Sequence, residues 1–451
     1  MLAVLGVALW ACLARGEDWP TFGHDCRRSS ATSERLGPPL AELWRHKPAH
    51  RPQPAWPAPA RIDYWHKLRG LSPKVTYDRA YHVAVAGGAV AFGSSADDSV
   101  TCLDAATGKV RWTFITGGPV RLAPCVWQGR AYVGSDDGWV YCLAMADGAV
   151  AWKHRVGPSD RQVIGNGRMI SAWPVRTGVL VDGGTAYCCA GLFPNEGVVV
   201  CALDAGAGSA KWKKTVDSLS PQGYLLASAS RLYVPTGRTA PAALSRADGK
   251  GMGTFRGSGG AHALLSGGVL LTGPGKTGQV EASRAETREH LVTFAGERML
   301  VTERLIVLQT PVEIRTLDAA RYFKLLAQAR ALAARQKAAQ AKLKKLKGPQ
   351  HAEQARTLKA QLAADGVTLA QVKKAMAACV LWRRPCSSAS ALALSGDVLY
   401  TGADGEVAAY ATDDGRPLWK APTSGRAYGL AVADGRLFVS TDDGTIHCFG
   451  R

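Results

Sequence analysis

The stretch Val100 to Trp112, V-T-C-L-D-A-A-T-G-K-V-R-W, decides the fold. An apolar strand ending at Leu103 meets a turn built from Asp104, Thr107 and Gly108, and a second strand carries Trp112 beyond it. Asp and Thr side chains bond a turn backbone, and Gly accepts the positive φ that a tight hairpin demands. The unit recurs in degenerate form at Val140 to Trp152, Val200 to Trp212 and Val407 to Trp419. Trp112 and Trp152 stand about 40 residues apart, a spacing at which each repeat is one four-stranded sheet of a propeller.

The totals agree with many short strands joined by turns: 451 residues, 47% hydrophobic, 50 Gly, 23 Pro and 20% charged. Leu2 to Trp10 is a short apolar run, too short to span a bilayer, and Ala14-Arg15-Gly16 before Glu17 resembles a signal-peptidase site. Residues 1–16 therefore read as a secretory signal. The alternative is lipid anchoring at Cys12, in the lipobox-like Leu9-Trp10-Ala11-Cys12. Cys102, Cys142, Cys201 and Cys448 fall on third strands of repeats, where a buried cysteine serves as a small hydrophobe.

Leu40-Ala41-Glu42-Leu43-Trp44 looks like a fourth strand without its first three, while Leu437 to Phe449 supplies the strands before it. The two ends are expected to complete one blade together, leaving no open edge. Lys47 to Ala60 is Pro-rich and should run extended on the surface, so His46 and His50 lack the helix that would join them on one metal. The acidic clusters Asp97-Asp98, Asp136-Asp137, Asp404 and Asp442-Asp443 fall at hairpins, where turn chemistry is preferred to calcium binding. The long connection from Gly157 to Pro174 is a candidate binding loop. Gly273-Pro274-Gly275-Lys276-Thr277 is not a phosphate loop, because Leu270 stands where a glycine is required and Gln279 onward looks like strand.

Ile314 to Ala319 begins another hairpin, but its partner Leu381-Trp382 arrives only some sixty residues later. The interval, 318–378, is rich in Ala, Leu, Lys and Gln, which predicts a helix from Asp318 to Lys347, a second from Gln350 to Ala364, a turn at Asp365-Gly366 and a short third helix capped by Thr368 and Gln371. Two apolar stripes pair as a hairpin on the rim. The insert supplies roughly half of the formal net charge of +19, with Arg335, Lys337, Lys342, Lys344, Lys345 and Lys347 as candidate interaction residues for an anionic lipid or polymer. Aromatics for base stacking are absent beyond Tyr322 and Phe323, which argues against a specific nucleic-acid reader.

The L-D-A-x-T-G-x-x-x-W character, clearest at Leu103 to Trp112, resembles the pyrroloquinoline-quinone-type propeller repeat family, which includes quinoprotein dehydrogenases and the BamB propeller. The resemblance runs from Leu40 to Phe449 outside the insert. Trp19-Pro20-Thr21-Phe22, Asp25, Arg28-Ser29 and Trp173 to Gly178 look like an exported bacterial subgroup. The expectation is an all-β, eight-bladed propeller over 17–451, with seven blades as the alternative, closed by its terminal strands and interrupted by the helical insert. The enzyme members imply a quinone, a calcium ion and usually a vicinal disulfide. Cys188-Cys189 is the one fragment with that look, and the two are expected to be unlinked, since adjacent strand residues face opposite sides. No C-x-x-C-H, H-E-x-x-H or G-x-S-x-G pattern occurs. The sequence therefore predicts a monomeric, periplasmic or envelope scaffold that binds protein partners, with no catalytic or metal-binding residues and no cofactor. Its alternatives are a quinone- and calcium-dependent dehydrogenase and a binder of anionic surfaces.

Overall fold

In a computed structural model the chain is described over residues 16–55, 77–165, 167–192, 194–237, 239–257, 262–274, 279–386 and 389–451. Residues 1–15 of the expected leader (Cys12 among them), the end of the Pro-rich segment and Gly275-Lys276-Thr277 lie outside the described residues.

Alternating apolar strands form six separate four-stranded antiparallel sheets among the described residues, over 83–115, 125–155, 180–216, 226–254, 262–295 and 298–385. A further eight-stranded sheet runs from Ala31–Thr32 through 391–450 to Ala41–His46. Its 17-residue strand Pro417–Ala433 belongs to two four-stranded halves, pairing at its start with Asp404–Ala411 and at its end with Arg436–Thr441. Ala41–His46 pairs antiparallel with Ile446–Gly450, so the two ends of the chain share a sheet as expected.

The turn at Asp104 is built as its chemistry requires. One carboxylate oxygen accepts from the Ala106 and Thr107 amides and the Thr107 hydroxyl, and Gly108 takes φ +68°. Hydrogen bonds from Arg111 and Thr107 hold the Asp104 carboxyl down at about 2.

Each tryptophan then joins its sheet to the next. The Trp44 indole N–H donates to Ala105 O, Trp112 to Met145 O, Trp152 to Ala205 O, Trp212 to Arg246 O, Trp382 to Thr412 O and Trp419 to Leu40 O. For all but Trp419 the ring lies on the turn glycine of the receiving sheet, so close that a Cβ there would stand 2.5–2.7 Å from it. The worn repeats show what replaces the ring. Phe255, just after the sheet 226–254, packs at 5.9 Å from Tyr233, and the next turn holds Arg288 at φ +62° where the corresponding turns of this chain hold glycine. The Arg288 guanidinium reaches back to Met252 O, taking the place of the missing indole.

The insert grows from a turn of the same kind. Asp318 accepts from the amide three residues on, Arg321, as Asp104 does from Thr107, but here the carboxylate caps helix α1 (Ala319–Lys345). The foot of α1 packs Ala319, Tyr322 and Leu326 into the core between the sheets 262–295 and 298–385. Helix α2 (Ala352–Ala377) returns alongside it as one continuous helix, which corrects the expected break at Asp365-Gly366. The buried Asp365 carboxylate pairs with Arg335 of α1, so tertiary contact overrides the local turn signal, and the Thr368 hydroxyl donates to Ala364 O inside the helix rather than capping a new one.

Gly208→Ala forces a Cβ to 2.5 Å from the Trp152 ring at φ +73°, whereas Gly405→Ala has φ +72° and no neighbour within 4 Å. Both are expected to lose about 1 kcal/mol from backbone strain, and Gly208→Ala a further 1–3 kcal/mol, roughly, from the ring clash. Thermal or denaturant unfolding of the two variants side by side separates the terms.

Candidate functional site

The innermost strands of the sheets surround a central channel, and the segment Trp19–Thr32 closes one end of it. Trp19 exchanges two backbone hydrogen bonds with Val85, and Pro20 O, Cys26 O, Arg27 O and Ser30 O accept from Val126, Ala227, Leu265 and Leu394. Ala31–Thr32 then runs parallel to Ala391–Ser395. The strap thus ties innermost strands of five sheets together. Arg28 pins it from within: its guanidinium donates to Leu225 O at 2.9 Å, to the Thr21 hydroxyl at 2.8 Å and to Phe22 O at 2.8 Å, and it is 2% exposed. Phe22 stacks on Tyr224 at 3.9 Å.

The opposite mouth is packed with charge. Asp136 is fully buried, with one oxygen 2.7 Å from Arg121 Nε and both oxygens 3.0 Å from Arg176. Arg121 also approaches Asp78 at 3.5 Å and donates to Gln53 O at 2.7 Å, and Asp78 accepts from the Ala55 amide. The described part of the Pro-rich segment is thereby clamped over this mouth. Two arginines and two carboxylates balance, which is the condition for keeping such charges out of water. Burial by itself raises the Asp136 carboxyl, but Arg176 and then Arg121 outweigh it and hold it below the usual carboxylate range. Burial dominates at Asp78 and raises it. Next to this network Tyr77 donates to Gln222 at 2.8 Å.

The acidic cluster read as turn chemistry is therefore divided. Asp137 serves its turn by accepting from the Trp139 amide, while Asp136 turns inward to the arginines. Asp443 likewise serves a turn, accepting from the Thr445 amide and the Thr441 hydroxyl. His50 lies against Asp97, apart from His46, whose ring stands 5.9 Å from Phe92.

Cys188 and Cys189 point to opposite faces of the strand Thr185–Ala190 and enter different cores. Cys188 Sγ stands 3.1 Å from Cys201 Sγ on the neighbouring strand, both as free thiols, and burial raises Cys189. Neither lines the central chamber. Among the described residues no group of three or more His, Cys, Asp or Glu gathers to hold a metal. With Asp78 and Asp136 engaged by arginines, the residues present at Cys188-Cys189 do not fit a calcium-supported quinone.

Of the basic candidates, Arg335 is tied to Asp365, whereas Lys337, Lys342, Lys344, Lys345 and Lys347 are exposed and form no ion pair among the described residues. The loop 157–174 folds as a hairpin, Gln162–Gly165 against Arg168–Ser171. Arg168 anchors it to the first sheet, donating to Ser95 O, Ala96 O and the Asp98 carboxylate at 2.8–3.2 Å. Ile164 and Met169 pair across the strands on the outward face and are 80% and 55% exposed, while Ile170 on the inward face is buried.

Repeated four-stranded sheets locked by tryptophan on a glycine turn define a propeller of the pyrroloquinoline-quinone repeat class. The family described as outer membrane protein assembly factor BamB matches residues 41–218 and 356–449, more than half of the chain, and the chain belongs to it. No curated protein matches. Among solved structures, BamB from Moraxella catarrhalis aligns at 13% identity over 92% of this chain and 100% of its own, with TM-score 0.52. Quinohemoprotein alcohol dehydrogenase from Comamonas testosteroni aligns at 15% identity over 96% of this chain and 81% of its own, with TM-score 0.60. A europium-containing methanol dehydrogenase aligns at 10% over 94% and 89%, with TM-score 0.59. These likenesses concern the fold, and they include both a BamB and dehydrogenases.

Asp136→Asn leaves two buried arginines facing one carboxylate and is expected to lose about 3–5 kcal/mol of stability. Because the folded Asp136 carboxyl lies below its unfolded value of about 3.9, its contribution is present above that pH and is lost as pH falls through the folded value. Acid unfolding curves of the variant should lack that loss.

Proposed function

We propose that this chain is an exported, monomeric, eight-bladed propeller, closed by its terminal strands, that acts as a non-catalytic scaffold for a protein partner in the cell envelope. The count takes the eight-stranded sheet as two blades sharing Pro417–Ala433, and residues 1–16 serve as the removable leader. The observation that carries the reading is the hairpin 162–171. Water-exposed Ile164 and Met169 stand together on a support that Arg168 fixes, so an apolar surface is held ready without a partner inside the molecule. A rigid aliphatic pair suits the desolvated centre of a protein interface, whose surrounding polar rim the hairpin's neighbours can provide. The family's description as an assembly factor accords with contacts of this kind.

The channel supports the same reading. Strap and ion network fill its two ends, and the room among its described residues is about 50 Å³, against roughly 300–1,000 Å³ for ordinary small-molecule pockets.

A second surface contributes through the lysines at the tip of the insert, Lys342, Lys344, Lys345 and Lys347, which can meet an anionic lipid or polymer. Vesicles containing anionic lipid should bind the full protein in a salt-sensitive manner and lose it when these four are changed to Gln. Binding that survives the change removes this surface from the proposal.

Ile164→Glu with Met169→Glu should leave the thermal midpoint within about 2 °C, as exposed substitutions do. A photo-cross-linker placed at Gln162, on the same outward face as Ile164, in the native envelope should yield a discrete adduct that the double variant abolishes. Absence of any adduct, or an adduct insensitive to the two glutamates, overturns the hairpin as the docking surface.

A further inference from the structure

The arginines at the mouth of the channel are neutralised, but those at its centre are not. Arg28 hydrogen-bonds only to neutral oxygens, and its Nη2 is buried with no partner. The nearest acidic residue in sequence, Asp25, uses its carboxylate on the amides of Arg27 and Ser29. Arg298, at the start of an innermost strand, forms no ion pair among the described residues. It is half-buried and lines the central chamber. Burial lowers the pKa of both guanidinium groups.

Other polar groups around the same chamber are orphaned as well. His262 Nε2 and Ser440 Oγ line it, buried and without partners. Burial and the nearby Arg298 press His262 down to about 4, and likewise His82 to about 3, so both rings are neutral and add no third and fourth charge. Two cations held out of water in a polar chamber carry a large desolvation penalty unless an opposite charge accompanies them. Elsewhere in this chain that charge is supplied by Asp136 and Asp78. Here the carboxylates that act on the two guanidinium groups, Asp25 on Arg28 and Glu297 on Arg298, count for less than the burial that opposes their charge.

We propose that the central chamber binds a small tetrahedral oxyanion, phosphate or sulfate, between Arg28 and Arg298, with the Ser440 hydroxyl donating to it and the His262 ring at its side. The chamber's volume of about 50 Å³ leaves room for an ion of this size. The anion neutralises the inner face of the strap at Arg28, so its occupancy stiffens the seal of the channel. This site is independent of the hairpin and of any partner bound there.

The test uses the full-length mature protein, dialysed exhaustively into a buffer whose only anion is a bulky sulfonate. Ion chromatography of the supernatant after denaturation should recover one equivalent of phosphate or sulfate, or else titration of inorganic phosphate or sulfate at constant ionic strength should raise the thermal midpoint saturably. Arg298→Met should weaken the anion dependence by about tenfold or more, the weight of one charge-assisted contact, while keeping an anion-free midpoint no lower than that of the parent. Ser440→Ala, a milder change, should weaken it severalfold and serves where Arg298→Met does not fold. Recovery of neither anion together with a midpoint unmoved by both overturns the proposal. So does an anion dependence unchanged in the variant examined.

Discussion

The fold depends on an indole lying flat on a glycine of the neighbouring sheet. That contact couples two requirements that a single hairpin would meet separately. The turn needs a residue at positive φ, and the ring needs a surface without a Cβ, and Gly108, Gly148, Gly208, Gly249 and Gly415 answer both. The indole N–H then donates to a carbonyl of the same turn, so each sheet is oriented against the next by a directional bond as well as by apolar burial. Trp44, delivered by the N-terminal strand, lies on Gly108 in the same way, whereas Trp419 keeps only the indole hydrogen bond, to Leu40 O. The substitution at the worn repeats follows from it: once Gly253 stands in the tryptophan position, with Phe255 packing beside it, the turn is free of the ring, glycine is no longer demanded for space, and Arg288 occupies the left-handed position.

The same logic explains which parts of the molecule could be read from the sequence. Asp104, Gly108 and Trp112 act within a dozen residues of one another and recur, so the sheets, the meeting of the termini and the position of the insert were legible. The channel was not. Arg28 meets Leu225, Asp136 meets Arg121 and Arg176, and Thr32 stands beside Ser395, contacts with no period and no local signature. Asp136 was hidden further by its neighbours, since Asp136-Asp137-Gly138 reads as turn chemistry and only one of the two carboxylates performs it. The available hint was that Arg28 and Arg176 each lie in a segment, Trp19 to Ser29 and Trp173 to Gly178, that stands outside the repeat pattern. At Asp365-Gly366 the error ran the other way. A local signal for a turn was strong, but an arginine one helix away changed its meaning.

Charge in this chain is sorted by chemistry more than by position. In the insert, two arginines act as tethers: Arg330 donates to His290 O and Leu291 O of the propeller, and Arg335 holds α2 through Asp365. A planar guanidinium can satisfy several fixed acceptors at once, which a lysine ammonium on a flexible stem does less well. The lysines accordingly gather at the end of α1, where they face water and the negative end of the helix dipole. Counting positive residues alone therefore overstates the binding surface of the insert and understates its attachment.

Inside the channel the same preference for arginine produces two opposite situations. Arg121 and Arg176 share Asp136 and sit near Asp78, a set whose charges cancel and whose geometry ties the 47–55 segment to the mouth. Arg28 gains four hydrogen bonds to neutral oxygens, enough to fix the strap but not to cancel its charge. Hydrogen bonding and charge compensation are separate requirements for a buried ion, and the strap meets only the first. A propeller whose channel is sealed by such a strap carries its unresolved electrostatics at the centre and its unpartnered apolar surface on the hairpin 162–171. The proposed anion would answer the first and the proposed partner the second, and since the two lie at separate places, stability and recognition could vary independently.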